Sequence, residues 1–171
     1  RIIDAVDVPV SVDVESGYDL PPSELVERLL EVGAAGANIE DVVHSDAKRF
    51  RDRHEHVDYI AGARQATDSA GVSFVINGRT DAVKSGAHVF ADPLAEAEAR
   101  IKLMAEAGAR AVYPVGLTTA EQVARLVQAV DVPVNVTAHP VNGHGAGDFA
   151  ALAALGVRRV TFGPLWQMWL A

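Results

Sequence analysis

Residues 8–40 read VPVSVDVESGYDLPPSELVERLLEVGAAGANIE, and this stretch decides the fold. Residues 8–14 (VPVSVDV) are rich in β-branched side chains and predict a buried strand. Pro22 to Val32 predicts a helix: Ser23 is placed to cap it, Leu25, Val26, Leu29 and Leu30 share one face, and Gly33 ends it. Residues 36–40 (GANIE) predict a second strand. A strand, a crossover helix and a second strand make one right-handed parallel β/α unit.

The rhythm continues outward. A polar, basic stretch (43–56) leads into a predicted helix from Val57 to Ser69. Strands are predicted at 73–78 (SFVING), 111–115 (AVYPV), 132–138 (VPVNVTA) and 157–163 (VRRVTFG). Between them, helices are predicted from Pro93 to Gly108, with Leu94, Ile101 and Met104 inward, from Thr119 to Val130, capped by Thr118, and from Phe149 to Leu155. The tail LWQMWLA opens another helix. The strands are continuously apolar rather than alternating, as expected when both sheet faces are covered. AVDVPV occurs at 5–10 and again at 129–134, each time where a helix gives way to a strand. Whether this is an internal repeat or shared loop chemistry, it implies repeated β/α units.

Six such units fit a doubly wound open sheet or part of a (β/α)8 barrel. A complete barrel takes about 200–250 residues, at roughly 25–30 per unit. The 171-residue chain is two units short of that and opens on Arg1 rather than Met, at the tail of a helix. The expected fold class is therefore α/β, a TIM-type (β/α)8 barrel. Residues 1–171 are expected to form one domain covering six of the eight units, with two amino-terminal units outside the sequence.

Composition narrows the function classes. A formal net charge of −8 works against nucleic acid and anionic membranes as partners, while a local arginine or cation can still hold a small anion. There is no cysteine, so disulfides, thiolate zinc sites and cysteine nucleophiles are excluded. No apolar run approaches the ~18–20 residues that span a bilayer, and no signal-peptide layout opens the sequence. A cytoplasmic location is expected.

Active sites of parallel β/α folds lie at the carboxyl ends of the strands. The first strand ends in Asp13-Val14-Glu15, whose two acids face the same side of an extended chain, and the second ends in Glu40-Asp41. Asp13, Glu15 and Glu40 could surround one hard cation, and oxygen ligands suit Mg²⁺ or Mn²⁺. Acids at strand ends can instead cap the following helices, a role that suits Asp41 and Asp19. Arg79, near the end of the third strand, can fork a substrate carboxylate, or pair with Asp81 or Glu40. The 43–56 stretch can be read as a lid over an anionic substrate or as a solvated loop. His54 and His56 are two apart, unlike a zincin pair, and are expected in solvent. His139, His144 and the glycines beside them match no nucleotide-binding motif. Trp166 and Trp169 suggest a core or subunit contact.

VPVSVDVESGY, GANIEDVV, FVINGRTDA, AVYPVGL and PVNV, in that order, resemble the isocitrate lyase/phosphoenolpyruvate mutase superfamily. The resemblance implies a (β/α)8 barrel that binds Mg²⁺, acts on 2-oxo acids or phosphonates, and assembles as homo-oligomers exchanging their last helix. It places Asp13 as the direct metal ligand, Glu15 and Glu40 as carboxylates reaching the metal through water, and Arg79 as the substrate-binding arginine. Gly116 and Asn135 join Arg79 as substrate-binding candidates, and Arg79 and Glu40 are the candidate catalytic pair.

The sequence also departs from the family pattern. Where the lyases carry Lys-(Lys/Arg)-Cys-Gly-His, this chain reads Ala47-Lys48-Arg49-Phe50. Gly78 stands where alanine is usual before the arginine, and the family's Ser-Gly substrate loop is absent. The expectation is an Mg²⁺-dependent lyase or mutase working through an enolate of a small 2-oxo acid or phosphonate, phosphonomutase-like or acting on oxaloacetate, rather than a cysteine-dependent isocitrate or methylisocitrate lyase. The alternatives are a relative that has lost catalysis but binds metal and a small carboxylate, and an open-sheet nucleotide-binding module.

Overall fold

The structure, a computed structural model, describes residues 2–171. After a 3₁₀ turn at Ile3–Ala5 come β1 (Ser11–Asp13), α1 (Pro22–Glu31) and β2 (Gly36–Glu40). A small antiparallel hairpin, β3 (Val42–Val43) with β4 (Arg49–Phe50), precedes α2 (Arg53–Ser69). Then follow β5 (Val75–Thr80), α3 (Ala82–Ser85), α4 (Pro93–Glu106), β6 (Ala111–Pro114) and α5 (Ala120–Gln128). The chain closes with β7 (Asn135–Thr137), α6 (Phe149–Ala154), β8 (Arg159–Thr161) and α7 (Leu165–Leu170).

β1, β2, β5 and β6 pair in that order, all parallel. A parallel bridge between Val112 and Val134 carries the pairing on to β7, which pairs in parallel with β8. Each strand thus lies beside its predecessor in the β/α series. A doubly wound sheet reverses its strand order at a switch point; this one never does, so the fold is that of a (β/α)8 barrel, of which six strands are present. Among the described residues, the outer edges of β1 and β8 have no strand partner.

The core lies between sheet and helices. Ile39, Ile60, Phe74, Ile76, Ile101, Met104, Val112, Val123, Leu126 and Leu152 are almost wholly buried there. Each stabilises the fold by about 1.5–3 kcal/mol relative to exposure. Gly78 backs onto this layer: a Cβ at that position would come 2.7 Å from Met104 Sδ. The missing methyl at 78 therefore makes room for the methionine of α4.

Several boundaries differ from the sequence expectation. β5 runs over 75–80 instead of 73–78, so Arg79 and Thr80 belong to the strand itself. Its polar residues alternate inward to a cavity, where apolar patterning gives no signal. α1 has Pro22 in its first turn, with Pro21 as N-cap and no side-chain cap bond, so Ser23 does not cap it. Proline there gives up only an amide that would lack a helical partner anyway. Thr119, with Gln122 in a capping box, caps α5 in place of Thr118.

The largest correction concerns 43–56. α2 begins at Arg53, capped by Asp52, whose carboxylate accepts from the Glu55 amide at 2.8 Å. His54 faces solvent, but His56 does not: it is 1% exposed, and its spacing to Ile60, Ala63 and Thr67 marks the buried face of α2. Neither of its ring nitrogens finds a partner among the described residues. The preceding hairpin is tied down, with Arg49 bonded to Asp46 at 2.8 Å and forked onto Glu55 at 2.7 and 2.9 Å. At the other end, α7 leaves Trp166, Met168, Trp169 and Leu170 exposed, so the tryptophans join no core within this chain. Among the described residues, no helix is long and apolar enough to cross a membrane.

Burial, with Arg51 and Arg100 nearby, lowers the His56 pKa from 6.5 to about 3. Between those values the unfolded chain binds a proton that the folded chain refuses, so this group costs stability as pH falls from 6.5. Asp41 acts with the opposite sign: burial raises its pKa from 3.8 to about 6, so the folded state gains a proton there first. Comparing wild type with His56→Leu isolates the histidine. The stability of wild type relative to the variant should fall by about 1.4 kcal/mol per pH unit between pH 6 and pH 4, measured by urea denaturation. A pH-independent difference would refute the buried neutral assignment.

Candidate active site

Parallel register gathers the polar residues into rows. Asp13, Asn38 and Asn77 are cross-strand partners on β1, β2 and β5. Two residues further along the strands, facing the same side, are Glu40, Arg79 and Tyr113 on β2, β5 and β6. The Val112–Val134 bridge extends this second row to Asn135 on β7, which is the partner of Arg159 on β8. A cavity of about 620 Å³ opens over these rows, lined by Asp13, Asn77, Arg79, Tyr113, Asn135 and Arg159 among others.

Arg79 is the hub. Its Nε and Nη2 donate to the two Asp81 carboxylate oxygens at 2.7 and 3.0 Å. Its Nη1 lies 2.7 Å from Glu40 Oε2 and 3.9 Å from Asp13 Oδ2. Burial opposes its charge, but the Asp81 fork and Glu40 outweigh that and hold the pKa above the usual guanidinium range. The pairing with Asp81 or Glu40 weighed from sequence is therefore present, with both at once, and Arg79 still lines the cavity.

Glu40 is 2% exposed, and both its oxygens are engaged, Oε2 by Arg79 and Oε1 by His44 Nε2. Burial raises its pKa; Arg79 and His44 draw it back only in part. Its neighbour Asp41 turns the other way and is wholly buried. It accepts from the Asp81 amide and from Arg100, both at 3.1 Å. Asp41 thus braces the end of β5 instead of capping a helix. Asp19 likewise caps nothing, and accepts from Ser45 Oγ at 2.7 Å.

Asp13 is the open carboxylate. Asn77 Nδ2 donates to Asn38 Oδ1 at 2.9 Å, and Asn38 Nδ2 donates to Asp13 Oδ2 at 3.2 Å. The Glu15 amide donates to Asp13 Oδ1 at 3.0 Å. Glu15 itself sits in a left-handed turn (φ 50°) with its side chain exposed. Asp13, Glu15 and Glu40 do not converge into one cage, and no metal-holding group of three or more acids or histidines forms among the described residues. The donor set nonetheless suits one kind of metal. Mg²⁺ keeps most of its waters and needs only one or two carboxylates. Asp13, exposed at the cavity, fits as the direct ligand; Glu40, with both oxygens engaged, does not.

The remaining candidates divide. Asn135 is buried at the cavity wall and donates to Thr161 Oγ1 at 3.1 Å. Gly116 also lines the cavity, with φ +99°, and a Cβ there would come 2.7 Å from the Lys84 amide nitrogen. It is a close approach between the loop after β6 and α3. His139 Nδ1 accepts from the amides of Val141 and Asn142, both at 3.1 Å, and His144 bonds the Leu117 carbonyl at 2.8 Å, so both brace loops. Sequence reading missed Asn38, Asn77, Tyr113 and Arg159. Asn38 and Asn77 each precede a chosen residue by two positions, a period-two signal hidden inside an apolar pattern.

A parallel β/α barrel with carboxylates and an arginine at its strand ends is an enzyme architecture. The family described as phosphoenolpyruvate phosphomutase matches residues 1–170, and the chain belongs to it. The 2-methylisocitrate lyase of Escherichia coli K12 is 31% identical over 148 residues, covering 80% of this chain and 47% of that protein. The chain therefore spans about half the length of that relative. A crystal structure from Burkholderia cenocepacia J2315, described as a phosphonomutase, superposes with a TM-score of 0.84 at 36% identity, over 99% of this chain and 68% of that one. Oxaloacetate acetylhydrolase in complex with oxalate superposes with a TM-score of 0.80 at 26% identity, over 99% and 58%.

Removing Arg79 should expose how strongly the buried carboxylates depend on it. Arg79→Met leaves Glu40 and Asp81 short of their shared cation and should destabilise the fold by about 3–5 kcal/mol in chemical denaturation. The double variant Arg79→Met, Glu40→Gln should recover part of that loss. A cost below about 1 kcal/mol for the single variant would show that the pairs are not desolvated.

Proposed function

We propose that this protein is an Mg²⁺-dependent lyase or mutase acting on a small 2-oxo acid or phosphonate by way of an enolate. The observation that carries the reading is the pairing, at one cavity, of an open carboxylate with a rigidly held arginine: Asp13 and Arg79, 3.9 Å apart. The relatives support it, since one is a 2-methylisocitrate lyase and another an oxaloacetate acetylhydrolase solved with oxalate. A bound Mg²⁺ would supply positive charge against the oxygen on which the enolate develops, and Asp13 would hold it.

The chain's own residues do the rest. Arg79, oriented by Asp81 and Glu40, presents fixed positive charge to a substrate carboxylate. The amide chain from Asn77 through Asn38 keeps Asp13 in its acceptor orientation. Tyr113 lies beneath the Arg79 guanidinium, 5.8 Å from ring centre to carbon, and its hydroxyl bonds Thr137. The β3–β4 hairpin carries no thiol to act as an acid, so a reaction that ends in hydrolysis, decarboxylation or rearrangement suits the site better than isocitrate cleavage. The second reading, a relative that binds metal and carboxylate without turnover, rests on that same hairpin. We also assign the exposed apolar face of α7 to contact with a second copy in a homo-oligomer.

The test is calorimetry of the protein with oxalate, with and without Mg²⁺, alongside pyruvate release from oxaloacetate. Metal-dependent oxalate binding with turnover supports the proposal, and binding without turnover selects the second reading. Absence of both sinks the two together. Asp13→Asn should weaken metal-dependent oxalate binding about 100-fold, which corresponds to about 2.7 kcal/mol. Trp169→Glu, at the exposed face of α7, should shift the assembly toward monomer in light scattering.

A further inference from the structure

The proposed chemistry ends on a proton. An enolate released by decarboxylation or hydrolysis must be protonated at carbon, and the chain has no cysteine to do it. The cavity wall carries few groups that can. His144 lines the cavity, but its Nε2 donates to the Leu117 carbonyl at 2.8 Å and its Nδ1 accepts from the Ala146 amide at 2.9 Å. Both ring nitrogens are thus spent on backbone. Lys84 also lines the cavity, but its ammonium is held by Asp81 at 2.8 Å, and its side chain is 56% exposed. It serves the same carboxylate that orients Arg79. Arginine does not give up its proton, and aliphatic hydroxyls are far weaker acids than a phenol. Tyr113 is left.

Its place suits the task. On β6 it is the register partner of Arg79, about 4.8 Å further from β1 and Asp13. A small acid anchored at Asp13 and Arg79 therefore extends its remaining carbons over β6. The half-buried ring lies beneath the Arg79 guanidinium, and its hydroxyl is bonded to Thr137 Oγ1. When Thr137 donates into that pair, the phenolic O–H is free to turn to the cavity. Arg79 and Arg159 both feel the phenol's charge, so a phenolate oxygen here is attracted by two guanidinium groups.

We infer that Tyr113 is the general acid of this site, giving its hydroxyl proton to the enolate carbon. The enolate π pair forms the new C–H bond as the Tyr113 O–H bond breaks. The carbonyl re-forms, and the electron pair of the broken bond stays on the phenolate oxygen, which recovers a proton from solvent water. The inference rests on the proposed function and deepens it: a built-in proton donor suits decarboxylation or hydrolysis, whereas a rearrangement needs none.

Proton NMR of the protein in D₂O with Mg²⁺ and pyruvate tests it by following exchange of the methyl hydrogens. The oxygen that gives a proton to the enolate also takes one back from pyruvate. Calorimetry with oxalate, which has no carbon-bound hydrogen, reads binding separately. Wild type should exchange deuterium into pyruvate. Tyr113→Phe, which keeps the ring, should slow that exchange about 100-fold while changing oxalate affinity less than about twofold. Unchanged exchange in the variant, or exchange and oxalate affinity falling alike, overturns the inference. Wild type that binds oxalate but exchanges nothing overturns it and leaves the proposed function standing. Wild type that does neither overturns both. Should Tyr113→Phe not fold, Thr137→Val decides, because it strips the phenol of its hydroxyl partner and keeps the ring. Exchange slowed at least about threefold with oxalate affinity unchanged supports the inference, and an even or absent change overturns it.

Discussion

The structure depends on how two adjacent acids are neutralised. Glu40 ends β2 and Asp41 follows it, the two taking partners on opposite sides of the sheet. Both are buried, and each takes an arginine from a later unit: Arg79 of β5 on the cavity side, Arg100 of α4 on the helix side. A desolvated carboxylate is tolerable only when paired and hydrogen-bonded. The end of β2 is thus stable only once β5 and α4 are in place. Arg100 also bonds the Arg51 carbonyl, and Arg51 reaches the Ser16 carbonyl, so the loops after β1 and β2 hang on the same framework.

That framework fixes the Arg79 side chain. A guanidinium forked by Asp81 and braced by Glu40 has lost its rotamer freedom before any ligand arrives, so little entropy remains to be lost on binding. Asp13 is held differently, by neutral amides and one backbone N–H, which leave its negative charge intact. The cavity wall therefore carries an oriented, paired guanidinium beside an exposed carboxylate.

Much of this was legible in the sequence, and the failures have physical causes. The β/α order, the helix faces and the position of Asp13, Glu40 and Arg79 at strand ends follow from periodicity and punctuation. Family resemblance added roles that periodicity could not. His56 was misread because a histidine pair in a basic stretch looks solvated, whereas its spacing to Ile60, Ala63 and Thr67 belongs to a buried face. Arg79 was set beyond the strand because polar residues usually end one; inside a barrel it lines the lumen. Asp41 seemed a helix cap because its partner, Arg100, lies 59 residues away and no local pattern announces it.

Gly78 carries a consequence beyond packing. Its bare backbone accommodates Met104, whose sulfur would meet an added methyl at 2.7 Å. An alanine at 78 would therefore require the flexible Met104 side chain to shift. The two positions are thus coupled: what residue 78 can hold depends on how residue 104 packs. The position beside the cavity-lining arginine thus answers to the helix behind it, and a change in the core reaches the cavity wall through a single missing carbon.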